Sequence, residues 1–376
     1  MSSSVASSLN IADPKGKAQL EATSASAPRF LFLPVSGPYG MGEYARSLEI
    51  AHAAVRRWPN ARVHFAVSRE APYAARSPFP CTLLPSSPTF HTPEIVALMQ
   101  ELRPHVVIFD NSGRTAQLRA ARRAGARVVY VSARGRPRRK AFRWRWMSQI
   151  DEHWVAYPQF LAGAPGTIEK LKLRWMGRPI LRYLDAMVPP PDAASAAALL
   201  EALDLRPLSY VLLVPGGGTG HPGARDAVEV FSTAAQELAA RGIPTVLIAP
   251  RSRKDLSRPD NLRTLPRLPL AELTWLMRHA RVVIANGGST LLQAIACNAP
   301  CVAVPIAKDQ ARRVEQCAAA GVAVAAPLQA PQLVAVAAAL TQDEAARASL
   351  VRRAEALKLS DGLGVAVQAL ETLISR

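Results

Sequence analysis

At 376 residues and 49% apolar content, the chain exceeds what one hydrophobic core usually organises, so two domains are expected. No run approaches the roughly 18 continuous apolar residues of a membrane span, and Cys81, Cys297, Cys301 and Cys317 show no zinc spacing with neighbouring histidines. The net charge of +18 is lopsided: residues 1–190 hold 27 Lys/Arg against 12 Asp/Glu (+15), residues 191–376 hold 19 against 16 (+3), which points to an anionic partner for the first half.

Residues 1–28 are rich in Ser and Ala, lack the apolar stretch of a signal peptide, and are expected to be a disordered tail. Arg29–Val35 then reads as a strand ending in the turn Ser36-Gly-Pro-Tyr-Gly-Met-Gly42, which opens a helix from Glu43 to about Trp58. Strand 61–67, helix 93–102, strand 105–109, helix 115–124, strand 126–131 and a short strand at Trp154–Tyr157 follow. This unit spans 29–180. The proline-marked stretch 181–205 reads as the interdomain connection.

The second unit, 206–362, repeats the pattern. Strand 209–215 ends in Gly216-Gly-Gly-Thr-Gly-His-Pro-Gly223, followed by helix 224–241, strand 243–249, a short strand at 262–265 and helix 270–279. Strand 281–285, helix 290–297, strand 301–305 and helices at 309–320, 331–340 and 343–358 complete it. Strands that alternate with helices and lack period-two patterning argue for parallel sheets covered on both faces. Each half opens with a strand, a glycine-rich turn and a helix, so the fold class is α/β, with two Rossmann-like doubly wound domains facing across a cleft.

The most informative stretch is Arg281–Gln310. Asn286, Gly287, Gly288, Ser289 and Thr290 stand where a strand hands over to a helix, whose unpaired N–H groups and positive dipole suit a phosphate. Gly287 and Gly288 remove side chains that would hold a pyrophosphate away. Asn298-Ala-Pro300, an apolar strand and Asp309-Gln310 come next. This order resembles the donor-binding segment of GT-B glycosyltransferases of the MurG-like and UDP-glycosyltransferase families.

The resemblance implies a glycosyltransferase that moves a sugar from a UDP- or TDP-sugar to a hydroxyl of a lipid-linked or other anionic, amphipathic acceptor. It implies diphosphate contact at Asn286–Thr290, ribose contact at Gln293 where relatives carry Glu, base contact at Leu268, and sugar-hydroxyl contact at Asp309 and Gln310. Gly216, Gly217, Gly218 and Thr219 would line the donor cleft, with Arg251 meeting the phosphates. Gly218–Gly223 also satisfies G-x-G-x-x-G, but the next strand ends in Pro250-Arg-Ser-Arg253 without the ribose-binding acid, which disfavours NAD. A final helix at 363–376 would cross back onto the first domain.

On the acceptor side the resemblance aligns the turn with Tyr39, Gly40 and Gly42, the acceptor is expected near Tyr39, Glu43 and Arg134, and Glu43 stands where relatives place a reactive histidine. A carboxylate there could deprotonate the acceptor, or simply favour the helix N-terminus; Asp110 is the second candidate base. His52, His64 and His221 are lesser acid/base candidates. The run Arg134–Trp146 interleaves seven cations with Phe142, Trp144 and Trp146, which suits an anionic membrane surface better than nucleic acid. No Asp-x-Asp motif is present, so neither metal nor cofactor is expected, and the expected location is cytoplasmic, peripheral to the membrane. A nucleotide-sugar hydrolase or 2-epimerase and a non-catalytic nucleotide- or glycan-binding member are the alternatives.

Overall fold

The computed structural model describes residues 27–133, 135–190, 193–216, 227–249 and 259–375. The first sheet contains β1 (Arg29–Pro34), β2 (Arg62–Ser68), β3 (Cys81–Leu84), β4 (Val106–Asp110), β5 (Arg127–Ser132), β6 (Glu152–Val155) and β7 (Ile180–Tyr183). Its order is β3-β2-β1-β4-β5-β6-β7, parallel throughout. The second sheet contains β8 (Val211–Val214), β9 (Thr245–Ile248), β10 (Leu262–Leu265), β11 (Val282–Asn286), β12 (Cys301–Val304) and β13 (Val324–Ala325). Its order is β10-β9-β8-β11-β12-β13, also parallel.

Burial on both faces explains why the central strands β1, β4, β8 and β11 do not alternate polar with apolar. Along β1, Phe30 and Phe32 enter one cluster while Leu31 and Leu33 enter another on the opposite side. Along β8, Leu212 and Val214 are separated from Val211 and Leu213 in the same way. In each sheet the strand order reverses beside the first strand, between β1 and β4 and between β8 and β11. Ligands bind α/β sheets at the carboxyl ends of such switch points.

The helix Gly362–Ile374 leaves the second unit and packs on the first. Leu363, Ala366, Leu370 and Leu373 join the cluster containing Phe30, Phe32 and Ile50, beside the helix Gly42–Arg57. Asp361 caps it, accepting from the backbone N–H groups of Leu363 and Gly364 at 3.0 Å each. Asp185 Oδ2 accepts from the N–H and hydroxyl of Ser360 at 2.8 and 2.7 Å, which ties the crossing to the end of β7. A Cβ at Gly362 would sit 1.9 Å from the Leu184 carbonyl oxygen, so only glycine permits this approach.

Some elements differ from the sequence reading. β3 and β7 are short edge strands, mostly half-buried and without a buried apolar run, and β7 occupies the start of the stretch read as a connection. Within that stretch a helix also forms over Ala193–Ala202, and its Leu200 packs into the core of the second unit. The basic run contains the helix Gly135–Ala141.

Candidate active site

The second unit contributes the carboxyl end of β11 and the helix Ser289–Ala296. Asn286 is buried, and its Oδ1 accepts from the Gly288 N–H at 2.8 Å while Nδ2 donates to Thr290 Oγ1 at 3.0 Å. These bonds fold the turn and leave the first-turn N–H groups of the helix without a side-chain cap. The two glycines are explained by the protein's own packing. A Cβ at Gly287 would lie 2.6 Å from Val314 Cγ2, and one at Gly288 would lie 2.6 Å from Asn286 Oδ1. Close approach of the helix Lys308–Ala319 thus calls for Gly287, and the folded-back Asn286 side chain for Gly288, before any ligand is considered.

Gly216, at φ +119°, ends β8 directly beside Asn286, whose Nδ2 would be 3.0 Å from an added Cβ. Gln310, in the first turn of the helix Lys308–Ala319, accepts the Ile306 N–H on its Oε1 at 3.0 Å, which leaves its Nε2 to donate elsewhere. Asp309 is exposed, with Arg313 at 3.9 Å. Arg313 itself is buried, donates to the Gly287 carbonyl and lies 4.4 Å from the Tyr157 ring centroid, so it braces the turn against the first unit. Gln293 is buried and donates from Nε2 to the Met187 carbonyl at 3.4 Å. Leu268 is half-buried against the core of the second unit.

The first unit contributes the helix Gly42–Arg57 and the carboxyl ends of β4 and β5. Glu43 is half-buried in the first turn, and its Oε1 accepts from Asn111 Nδ2 at 2.9 Å. Asn111 takes φ +53°, a left-handed conformation that Asn tolerates, and its Oδ1 accepts from the Ala133 N–H at 2.9 Å. That second bond fixes which end of the carboxamide faces Glu43.

Asp110, one residue earlier, points the other way. It is fully buried and accepts both prongs of the Arg46 guanidinium, at 2.9 and 2.6 Å. Burial lifts its carboxyl to about 6 against the pull of Arg46. For Arg46 burial works against the charge, but Asp110 more than offsets it and the guanidinium stays protonated. This carboxylate is engaged in an ion pair that anchors the helix to β4, with Arg46 between it and the cleft that Arg46 lines.

The two units meet in a cleft in which Gly42, Arg46 and Glu49 face Ser289, Leu292 and Gln293. Arg267 Nη1 reaches Met41 Sδ at 3.4 Å across the same boundary. Glu49 and Asp185, which the sequence reading passed over, are the carboxylates of this described lining, and burial pushes the pKa of Glu49 up against Arg56 and Arg267. Asn111 was also missed, although a polar residue able to adopt positive φ just past a strand is a readable signal. Tyr39 and Gly40 lie on the exposed turn before the helix. His52 packs against Phe79 and His64 bonds Thr82 Oγ1 at 2.8 Å, both outside the cleft lining. Arg134, Gly217, Gly218, Thr219, His221, Arg251 and the tail to residue 26 lie outside the described residues.

Beyond the cleft, the helix Thr167–Met176 buries no side chain. Ile168, Leu171 and Trp175 are 71%, 67% and 76% exposed, at a spacing that puts them on one face. Trp144, 46% exposed, meets Trp175 edge-on at 5.1 Å. No helix among the described residues is long and apolar enough to cross a membrane.

No protein-family model and no curated protein matches this sequence. Solved structures do match in shape. The spinosyn rhamnosyltransferase SpnG superposes with a TM-score of 0.63 at 17% identity, covering 91% of this chain and 100% of that one. The calicheamicin glycosyltransferase CalG4 gives 0.58 at 16% identity, covering 94% and 99%. LpCGTa, solved in complex with UDP, gives 0.59 at 15% identity, covering 93% and 100%. Two parallel Rossmann-like sheets, a shared cleft and these likenesses define a GT-B glycosyltransferase fold.

Proposed function

We propose that the chain is a metal-independent glycosyltransferase that moves a hexose from a UDP- or TDP-sugar to a hydroxyl of an anionic or amphipathic acceptor. The observation that carries this reading is the cleft in which the first turns of the helix Gly42–Arg57, which also carries the half-buried Glu43, face the helix N-terminus at Ser289. In the proposed reaction the acceptor hydroxyl oxygen bonds to the anomeric carbon as its proton passes to Glu43. The bond from that carbon to the diphosphate breaks, and the first turn of the helix Ser289–Ala296 meets the leaving charge. Asn111 positions Glu43. Gln310 Nε2 and Asp309 serve the sugar hydroxyls, Gln293 the ribose and Leu268 the base. Gly216–Thr219 and Arg251 belong to the same proposed donor site.

The exposed face of Ile168, Leu171, Trp144 and Trp175, set in the strongly basic first half, supports a peripheral position on an anionic cytoplasmic membrane face. A thermal-shift panel with UDP, TDP, GDP, CDP, ADP and NADP tests the donor, because a ligand of the native state raises Tm. A selective shift with UDP or TDP is expected; a shift with NADP alone overturns the reading. Glu43→Gln is then expected to abolish transfer while nucleotide affinity stays intact, and full activity in that variant would remove Glu43 as the base.

A further inference from the structure

The basic segment folds around a cavity distinct from the interdomain cleft. Arg136, Arg139, Lys140 and Arg143 line about 480 Å³ whose remaining walls include Tyr130 and Asn111, and no carboxylate is among its described lining residues. Lys140 is held in place: its ammonium donates to the Gly113 carbonyl at 3.0 Å and lies 4.0 Å from the Trp146 ring centroid. Arg136, Arg139 and Arg143 make no side-chain hydrogen bond or ion pair among the described residues. Burial, with Arg114 and Arg143 adding, already lowers the pKa of Lys140. Four cations around one cavity repel each other, and an anion relieves that cost.

The chemistry narrows the anion. Guanidinium forks match phosphate oxygens bidentately, and four cations exceed what a single carboxylate balances. Tyr130, the aromatic residue among the described lining, is buried, so the cavity itself offers no open stacking platform of the kind a nucleic-acid base uses. Asn111 belongs to both sites, since it lines the cavity and donates to Glu43. We propose that this cavity binds a phosphate or diphosphate group carried by the acceptor, with Arg136, Arg139 and Arg143 as its ligands, so that the acceptor hydroxyl lies beside Glu43. This rests on reading Glu43 as the acceptor-side base.

Isothermal titration of the full chain with inorganic pyrophosphate, in saturating UDP so that the donor side is occupied, tests the proposal. One site is expected, weakened about tenfold or more in Arg139→Ala/Arg143→Ala, while the UDP-induced rise in Tm is unchanged. Equal binding by wild type and double variant, or no binding by wild type, overturns it. If UDP produces no thermal shift yet pyrophosphate binding still depends on the two arginines, the donor reading fails and the cavity assignment stands. Geranyl diphosphate separates the sources: binding about tenfold tighter than pyrophosphate assigns a lipid-linked acceptor, and equal affinity assigns a soluble phosphorylated one.

Discussion

The Arg46–Asp110 pair holds two opposite charges almost wholly out of water, at 2.6 Å, under the first turns of the helix that carries Glu43. Removing one partner strands the other, which typically costs ~3–5 kcal/mol. Asp110→Asn is therefore expected to lower stability by about that amount in urea unfolding, and Arg46→Met/Asp110→Leu to recover much of it. An unchanged unfolding midpoint in Asp110→Asn would show that the pair does not anchor the helix. His153 titrates with the opposite consequence. Burial, with Arg138 adding, pushes its imidazole down to about 3, and its Nε2 is bonded to Ser132 Oγ at 2.8 Å. The unfolded chain takes up this proton near pH ~6.5 and the folded chain does not. The stabilisation is thus complete above that value and is lost as pH falls toward 3, by at most ~5 kcal/mol. His153→Gln, compared with wild type in urea at pH 7 and 4.5, is expected to lose less stability over that interval.

At the scale of elements, Gly287→Ala is expected to cost about 1–3 kcal/mol, because its Cβ meets Val314 Cγ2 at 2.6 Å, and Val314→Ala should restore part of it. The same contact shows where sequence reading succeeds and where it stops. The strand, turn and helix over 282–296 were legible because a buried run, a small-residue break and an apolar helix have distinct patterns. The reason for Gly287 was not, because Val314 is far away in sequence. The parallel sheets and most long elements were readable; the edge strands β3 and β7 were not, because they are mostly half-buried and carry no buried apolar run, and β13 has only two residues. Asp110 and Asn111 are neighbours in sequence with opposite fates: a turn at Asn111 was readable, but the long-range partners Arg46, Glu43 and Ala133 that divide the two side chains were not. The helix Thr167–Met176 also escaped notice, since its importance lies in what it fails to bury. Leu171→Glu/Trp175→Glu is expected to reduce co-sedimentation with phosphatidylglycerol-containing vesicles by roughly tenfold or more, leaving Tm unchanged. Undiminished pelleting would remove this face as the membrane contact.

For the whole molecule, the two sheets are not independent modules. Residues 27–190 contain every strand of the first sheet, yet part of the core comes from Leu363, Ala366, Leu370 and Leu373. That segment expressed alone is expected to lack a cooperative urea transition and to bind a hydrophobic dye; a sharp transition would show that the crossing helix only decorates the surface. Glycine at 362 is part of this design, because any side chain there collides with the Leu184 carbonyl.

The crossing helix also sets an order of events during synthesis. A ribosome delivers β1 and the helix Gly42–Arg57 early, but the part of the layer over Phe30 and Phe32 that comes from the crossing helix emerges only after more than 300 further residues. The second sheet, whose strands lie between residues 211 and 325, has all its strands in hand before the first can close. The nascent first half must therefore wait with part of an apolar face open, the period in which a chain is most exposed to aggregation and to chaperones.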